Sequence, residues 1–318
     1  MRNDVVNDAA GASARTARAP AKATSGGSGG SDALKEFAFT PRDFERVRAL
    51  IYRRAGIALA DSKQEMVYSR LARRLRAIGM RSFESYLDRL EHDPGSSEWE
   101  AFTNALTTNL TSFFREAHHF PILAEHVRRR GEPVSIWCAA SSTGEEPYSI
   151  AMTLCETLGA KAAACQVIAT DIDTNVLATA AQGIYPIERV EKMDSERVRR
   201  FFLRGKGAHA GQVRVRPELR EMVTFRHLNL LAPDWPVSGP FDAIFCRNVM
   251  IYFDKPTQGR ILTRFVPLMK PDALLFAGHS ENFLYVSDAF KLRGKTVYEL
   301  DSKRHPLQHS AAALKSTP

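Results

Sequence analysis

Cysteine is scarce and unpaired in this chain: Cys138, Cys155, Cys165 and Cys246 are scattered, and no two form a Cys-x-x-Cys pair. That spacing argues for buried free thiols in a reducing cytoplasm. Long apolar runs are missing as well. No stretch approaches the roughly 20 residues that span a bilayer and no secretory signal is visible, so a cytoplasmic protein without direct membrane insertion is expected. Neither Gly-x-x-x-x-Gly-Lys nor Gly-x-Gly-x-x-Gly occurs, which removes a phosphate loop and the dinucleotide fingerprint. His118-His119 invites a metal. Adjacent residues on a helix point apart, however, and no other ligand cluster accompanies them, so no metal is expected.

What is present is ordinary in bulk. The 318 residues are 44% hydrophobic and 25% charged, enough for one large or two modest domains. The net charge of +8 calls for an acidic partner, whether nucleic acid, membrane surface or protein. The organising stretch is Ser135-Ile-Trp-Cys-Ala-Ala-Ser-Ser-Thr-Gly-Glu-Glu-Pro-Tyr-Ser149. It reads as a buried strand, a turn of small residues and a helix with Pro147 near its first turn. Small turn residues let a ligand approach the backbone. Glu145 and Glu146 would repel a pyrophosphate there, so a nucleoside carrying positive charge fits better. Taken alone, the stretch is equally an ordinary α/β turn.

Residues 1–36 are rich in Ala, Gly, Ser and Thr, the composition of a disordered tail, and residues 304–318 read as a second flexible tail. From 37 to 128 the periodicity is helical. Thr40 and Pro41 mark an N-cap and first position, and Val67, Leu71, Leu75 and Ile78 form an apolar stripe. Off that stripe lie Arg70, Arg73, Arg74 and Arg76, either a solvated face or a docking face for an acidic partner. An α/β domain is expected over 129–303. Strands around 165–171, 223–230, 241–248, 273–278 and 296–300 alternate with helices, which implies a doubly wound, mainly parallel sheet. Ligands in such sheets sit beyond the carboxyl ends of the strands, where Glu146, Asp171, Asn229 and Asn248 would meet, with Asp171 at a solvent-facing tip. A small β insertion interrupts the alternation at about 187–222. In it Ser195–Leu203 reads as a helix and Gln212–Arg216 as a strand with an exposed edge, or as a surface hairpin without a partner.

Five motifs stand in order along the chain: Thr108-Asn-Leu-Thr-Ser-Phe-Phe-Arg115, Ser142-Thr-Gly-Glu-Glu-Pro-Tyr-Ser149, Ala169-Thr-Asp-Ile-Asp173, Phe245-Cys-Arg-Asn-Val-Met-Ile-Tyr-Phe253 and Gly278-His-Ser-Glu-Asn282. In these the sequence resembles the CheR family of chemotaxis-receptor glutamate O-methyltransferases, from about Phe39 to Leu300. The resemblance implies S-adenosylmethionine as methyl donor, S-adenosylhomocysteine as product, and glutamates of chemoreceptor cytoplasmic helices as acceptors. By position, Glu146 and Asp171 would hold the donor, with Asp171 on the ribose. Asn109, Thr111 and Arg115 would reach it from the helical side, and Asn229, Leu230, Arg247 and Asn248 would close around its ends. Tyr252 would face the transferred methyl, making Arg115 and Tyr252 the catalytic expectations. Arg204, Gly205, Gly207, Gly211 and Arg214 match members that bind a peptide at the receptor's C-terminus. The chemistry agrees independently: a glutamate with pKa near ~4.3 is ionised at pH 7 and needs no general base. A nucleic-acid methyltransferase would suit the charge, but the Asn-Pro-Pro-Tyr-like turn of amino-group enzymes is replaced by Arg247-Asn-Val-Met-Ile-Tyr252. A donor-binding receptor scaffold without turnover is the non-enzymatic alternative.

Overall fold

The computed structural model describes residues 35–301, so the two tails expected from composition lie outside it apart from Lys35 and Glu36. Four helices come first: α1 (Pro41–Ala55), α2 (Gln64–Ala77), α3 (Phe83–His92) and α4 (Glu98–Leu106). Thr40 caps α1 through a reciprocal pair, its hydroxyl accepting from the Asp43 N–H while the Asp43 carboxylate accepts from the Thr40 N–H. Val67, Leu71 and Leu75 are fully buried with Phe83, Tyr86 and Phe102, so the helical stripe seen in the sequence does form a core.

The basic face of α2 is smaller than expected. Glu98 is 5% exposed, and a buried carboxylate needs compensating donors. Arg74 supplies two, at 2.7 and 2.5 Å, and the Tyr86 hydroxyl a third at 2.9 Å. Arg70 donates to the carbonyl of Thr107, tying down the chain where it leaves α4. Both arginines are thus committed to the fold, and of the four residues expected to form a solvated or docking face only Arg73 and Arg76 are exposed.

The expected boundary at 128 also moves. From Thr107 to His118 the chain has no helix or strand, and α5 (His119–Arg130) follows. Its Phe120, Leu123 and Val127 pack with Ile136 and Ile150 of the α/β part, so α5 belongs to that domain. There the order is β1 (Ser135–Cys138), α6 (Glu145–Leu158), β2 (Gln166–Asp171) and α7 (Thr174–Gln182). An insertion contributes β3 (Ile184–Pro186), α8 (Ser195–Phe201), β4 (Phe202–Arg204), β5 (Gln212–Val215) and α9 (Pro217–Glu221). The chain then returns through β6 (Val223–His227), β7 (Phe241–Cys246), α10 (Lys255–Phe265), β8 (Met269–Ala277), β9 (Phe290–Gly294) and β10 (Val297–Leu300).

The main sheet has the order β6-β2-β1-β7-β8-β10-β9. Its pairings from β6 to β8 are parallel, and β10 is antiparallel to both β8 and β9. Alternate residues serve the two faces: Ile136, Ala243 and Phe245 enter one core, Trp137, Ile244 and Cys246 the other. The doubly wound architecture therefore holds, with an outer strand, β9, that pairs antiparallel with β10, carries Lys291 and Arg293 and gave no apolar signal.

The insertion is ordered differently from its expected form. Its small sheet runs β3-β5-β4, so Gln212–Val215 is the central strand and not an edge. Residues 184–186, outside the expected bounds, supply the strand on one side. On the other, the expected helix stops at Phe201 and Phe202–Arg204 becomes β4. The free edges are β3 and β4.

The contrast between neighbouring arginines of α2 can be measured. Arg74→Ala leaves buried Glu98 without its main donor and is expected to cost about 1.5–3 kcal/mol. Arg73→Ala, on the exposed face, should stay within about 0.5 kcal/mol. Urea denaturation of both variants reads this directly, and equal losses would mean that the Arg74–Glu98 pair contributes nothing special.

Candidate active site

The chain reverses direction across the sheet between β2 and β7, which flank β1, and the carboxyl ends of these strands open onto one crevice. A cavity of about 460 Å³ lies there. All ten residues expected to bind the donor or act in catalysis line it, together with Leu59, Lys63 and Met66 from the helical side. That volume is in the range of small-molecule sites.

Each wall is set by local chemistry. Gly144 ends the turn after β1 at φ +99°, and a side chain there would meet the Tyr185 hydroxyl at 2.8 Å and Ala180 at 2.9 Å. The turn is therefore held close to α7 and β3 by a residue that only glycine suits. Glu145 and Glu146 follow but do not form the joint acidic surface expected. Glu145 is fully buried and paired with Arg189 of the insertion. Glu146 faces the cavity and takes the Arg247 guanidinium at 2.7 Å.

Arg247 is 4% exposed and makes two further contacts: the Arg115 carbonyl at 2.5 Å and the Glu116 carboxylate at 3.2 Å. Burial pushes the Glu146 carboxyl up despite Arg247. For Glu116 burial acts the same way, but the His279 N–H, the Arg247 charge and the Asn248 amide outweigh it and hold the group low. Two carboxylates thus surround one cation, an arrangement that favours a second positive charge nearby.

Asp171 is 8% exposed, which corrects the solvent-facing tip. Its carboxylate accepts from the Ser142 N–H at 2.8 Å and the Asp173 N–H at 3.0 Å, so it shapes the turn as well as lining the cavity. Asp173 caps α7 and also accepts from the Asn109 amide at 2.7 Å. Asn109 therefore has its amide nitrogen engaged within the protein. Arg115 likewise donates to the Leu110 carbonyl at 2.8 Å. The Asn229 side chain bridges to α1 through the Arg54 carbonyl at 2.8 Å, and the Ala58 N–H donates to the Tyr252 carbonyl at 2.9 Å. The helical layer and the sheet thus share the walls of one cavity.

The two histidines do not diverge as expected. His118 stands at the cap of α5, and its ring centroid is 4.2 Å from that of His119. With Glu116 their ligating atoms lie within 4.8 Å of one another. Arg247 beside Glu116 already supplies a cation to this group, and His119 Nε2 is 2.9 Å from the Lys295 carbonyl. Glu116 and Arg189, which pair with Arg247 and Glu145, are residues that sequence reasoning passed over. Glu116 directly follows the quoted motif that ends at Arg115, while Arg189 sits in no motif.

The sequence matches two family models: residues 42–107 match the all-alpha domain of CheR methyltransferases, and residues 109–299 their SAM binding domain. It is 62% identical over 261 residues to the chemotaxis protein methyltransferase of Klebsiella aerogenes, covering 82% of this chain and 90% of that one. The Escherichia coli protein of the same description is 58% identical over 266 residues, covering 84% and 93%. The chemotaxis protein methyltransferase 2 of Pseudomonas aeruginosa is 56% identical over 267 residues, covering 83% and 95%. This chain belongs to the CheR methyltransferase family. It is an S-adenosylmethionine-dependent methyltransferase, and the two family segments meet at the loop that begins with Thr107. In this methyltransferase the donor is a sulfonium cation, and Glu146 and Asp171 put two carboxylates among the residues that line the cavity.

The burial of Asp171 has a titration signature. Burial pushes its carboxyl from 3.8 up to about 6, against the backbone N–H donors that favour the charged form. An acid raised in this way favours folding in its neutral form. Its contribution is fully present below about 3.8 and is lost as pH rises through about 6. Carbon-detected NMR of the Asp171 carboxyl in the donor-free methyltransferase should show a midpoint near 6. A midpoint in the usual carboxylate range would mean that the N–H donors outweigh burial.

Proposed function

We propose that this methyltransferase transfers the methyl group of S-adenosylmethionine to glutamate side chains of chemoreceptor signalling helices, forming methyl esters in sensory adaptation. One observation carries the reading. The polar lining of the cavity consists of carboxylates, amides, hydroxyls, the guanidiniums of Arg115 and Arg247 and the Lys63 ammonium, with no histidine to act as a base. A glutamate acceptor needs none, because it is ionised at pH 7. The names of the curated relatives support chemotaxis as the setting. The protein would act in the cytoplasm, recruited to membrane receptors; among the described residues no helix is long and apolar enough to cross a membrane.

In this reading a glutamate oxygen attacks the methyl carbon in line with the carbon–sulfur bond. That bond breaks, its electron pair stays on sulfur, and a neutral thioether and a neutral ester result without any proton transfer. Both charges vanish as methyl moves, so a site that holds the groups in line and excludes water accelerates the step. Asp171 accepts hydrogen bonds from the ribose hydroxyls. Glu146 and the Glu116–Arg247 network set the potential at the cationic end. Asn109, Thr111, Asn229, Leu230 and Asn248 enclose the donor, and Tyr252 and Arg115 face the reacting groups. Incubation with methyl-labelled donor and a receptor signalling fragment should place base-labile label on glutamates. Asp171→Ala should weaken donor binding roughly 10- to 150-fold by calorimetry. Base-stable label, or label on another residue type, would sink the ester reading.

Arg73 and Arg76 form the docking face for the acidic receptor helix. The Arg73→Ala, Arg76→Ala double variant should slow methylation as added salt does, with donor affinity unchanged. Wild-type rates on receptor would make the face merely solvated.

The insertion binds the receptor's C-terminal peptide, with Arg204, Gly205, Gly207, Gly211 and Arg214 as its contacts. Because β5 is central, the peptide adds at an outer strand. β3 contains Pro186, which lacks an N–H, so β4 is the better edge. Arg214 stands opposite Leu203 of β4, and both are exposed. Arg214→Ala should slow methylation of dilute tail-bearing receptor while leaving the rate on tailless receptor unchanged. Equal slowing of both would remove the tether.

A further inference from the structure

Glu281 lies in the turn after β8, is 5% exposed, and does not line the cavity. A carboxylate buried this deeply needs several donors, and it has four, all backbone N–H groups. One oxygen accepts from Gly278 at 2.5 Å and Asn248 at 2.9 Å, the other from Val249 at 3.0 Å and Met250 at 2.7 Å. Three consecutive N–H groups of the chain leaving β7 therefore converge on one side chain of the turn after β8.

Those three residues open the turn that carries the site. Asn248 has φ +58°, a left-handed conformation unusual for a residue with a side chain. Its amide reaches the Glu116 carboxylate at 3.2 Å. The turn closes with the Tyr252 N–H donating to the Val249 carbonyl at 3.1 Å, which aims Tyr252 at the cavity. Gly278 leaves no slack on the opposite side. A Cβ there would stand 2.7 Å from the Asn248 nitrogen and 2.8 Å from the Glu281 carboxylate.

We infer that Glu281 is a positioning residue for methyl transfer: its buried carboxylate fixes the Asn248–Met250 turn and thereby the approach of Tyr252 to the reacting groups. The inference rests on the proposed role of Tyr252. Glu281 touches neither donor nor acceptor and acts through the main chain. Replacing one oxygen by an amide, as in Glu281→Gln, points a donor at backbone donors and releases part of the turn. The geometry of the reacting groups then loosens while the cavity walls formed by β1 and β2 stay in place.

The test is a cycle of Glu281→Gln, Tyr252→Phe and the double variant, with kcat on receptor fragment, donor affinity by calorimetry and thermal unfolding measured for each. Glu281→Gln is expected to lower kcat by at least roughly tenfold, with a clearly smaller loss of donor affinity, because Asn248 is the one donor-enclosing residue on this turn. The double variant should be no slower than the slower single one, because both act through one group. Losses that multiply, or a donor affinity that falls in step with kcat, would make Glu281 a general stabiliser and overturn the inference. A wild-type kcat for Glu281→Gln beside a slow Tyr252→Phe overturns it while leaving the role of Tyr252 standing. A wild-type kcat for Tyr252→Phe defeats that role, and with it the inference. Should Glu281→Gln not fold, Glu281→Asp keeps the charge but is too short to serve the whole turn. The same selective loss of kcat is expected from it, and a folded Asp variant with wild-type kcat overturns the proposal.

Discussion

The guanidinium of Arg247 is the contact on which the rest of the site depends. It leaves the end of β7, meets Glu146 at the start of α6, and reaches Glu116 and the Arg115 carbonyl in the segment before α5. No two of these three segments are neighbours in the chain. A buried ion pair is a poor source of net stability, because desolvating the charges offsets most of their attraction. Removing one member is another matter, costing about 3–5 kcal/mol by stranding a buried charge. The network therefore acts chiefly as a specification: only the arrangement that brings all three segments together leaves no charge unpaired.

The same logic recurs around the cavity. Asp171 takes the Ser142 N–H of the turn after β1, Asp173 takes the Asn109 amide, and Glu281 gathers the turn after β7. The walls are thus fixed by acidic side chains that bind the protein's own donors. The insertion is tied to the same walls, since Arg189 pairs with Glu145 and the Tyr185 hydroxyl donates to the Thr143 carbonyl at 2.7 Å. The insertion is therefore hydrogen-bonded to the turn after β1.

Local patterns carried much of this into the sequence. The cap at Thr40 and the stripe of Val67, Leu71 and Leu75 depend on residues a few positions apart, and both stand as read. The β1 turn, the acid at the end of β2 and the Arg247–Tyr252 turn were likewise visible, and the residues named from them do share one cavity. What failed was whatever depended on a distant partner. Arg70 and Arg74 were indistinguishable from Arg73 and Arg76 until Glu98 and the Thr107 carbonyl stood beside them. α5 had the periodicity of the helices before it, and only its packing on the sheet assigns it to the second domain.

By itself the sequence determined the family, the alternation of the parallel strands with helices, and the set of side chains at the strand ends. These follow from periods of two and near four, from caps spanning three residues, and from contiguous motifs. The tertiary structure alone decided that β5 is a central strand, that Asp171 is buried, and which arginines remain on the surface. The reason is separation along the chain: Arg247 and Glu146 are 101 positions apart, and β5 gains a neighbour from residues 184–186. A charge's environment, and hence its ionisation and its role, is set by what folds against it, and no local pattern records that.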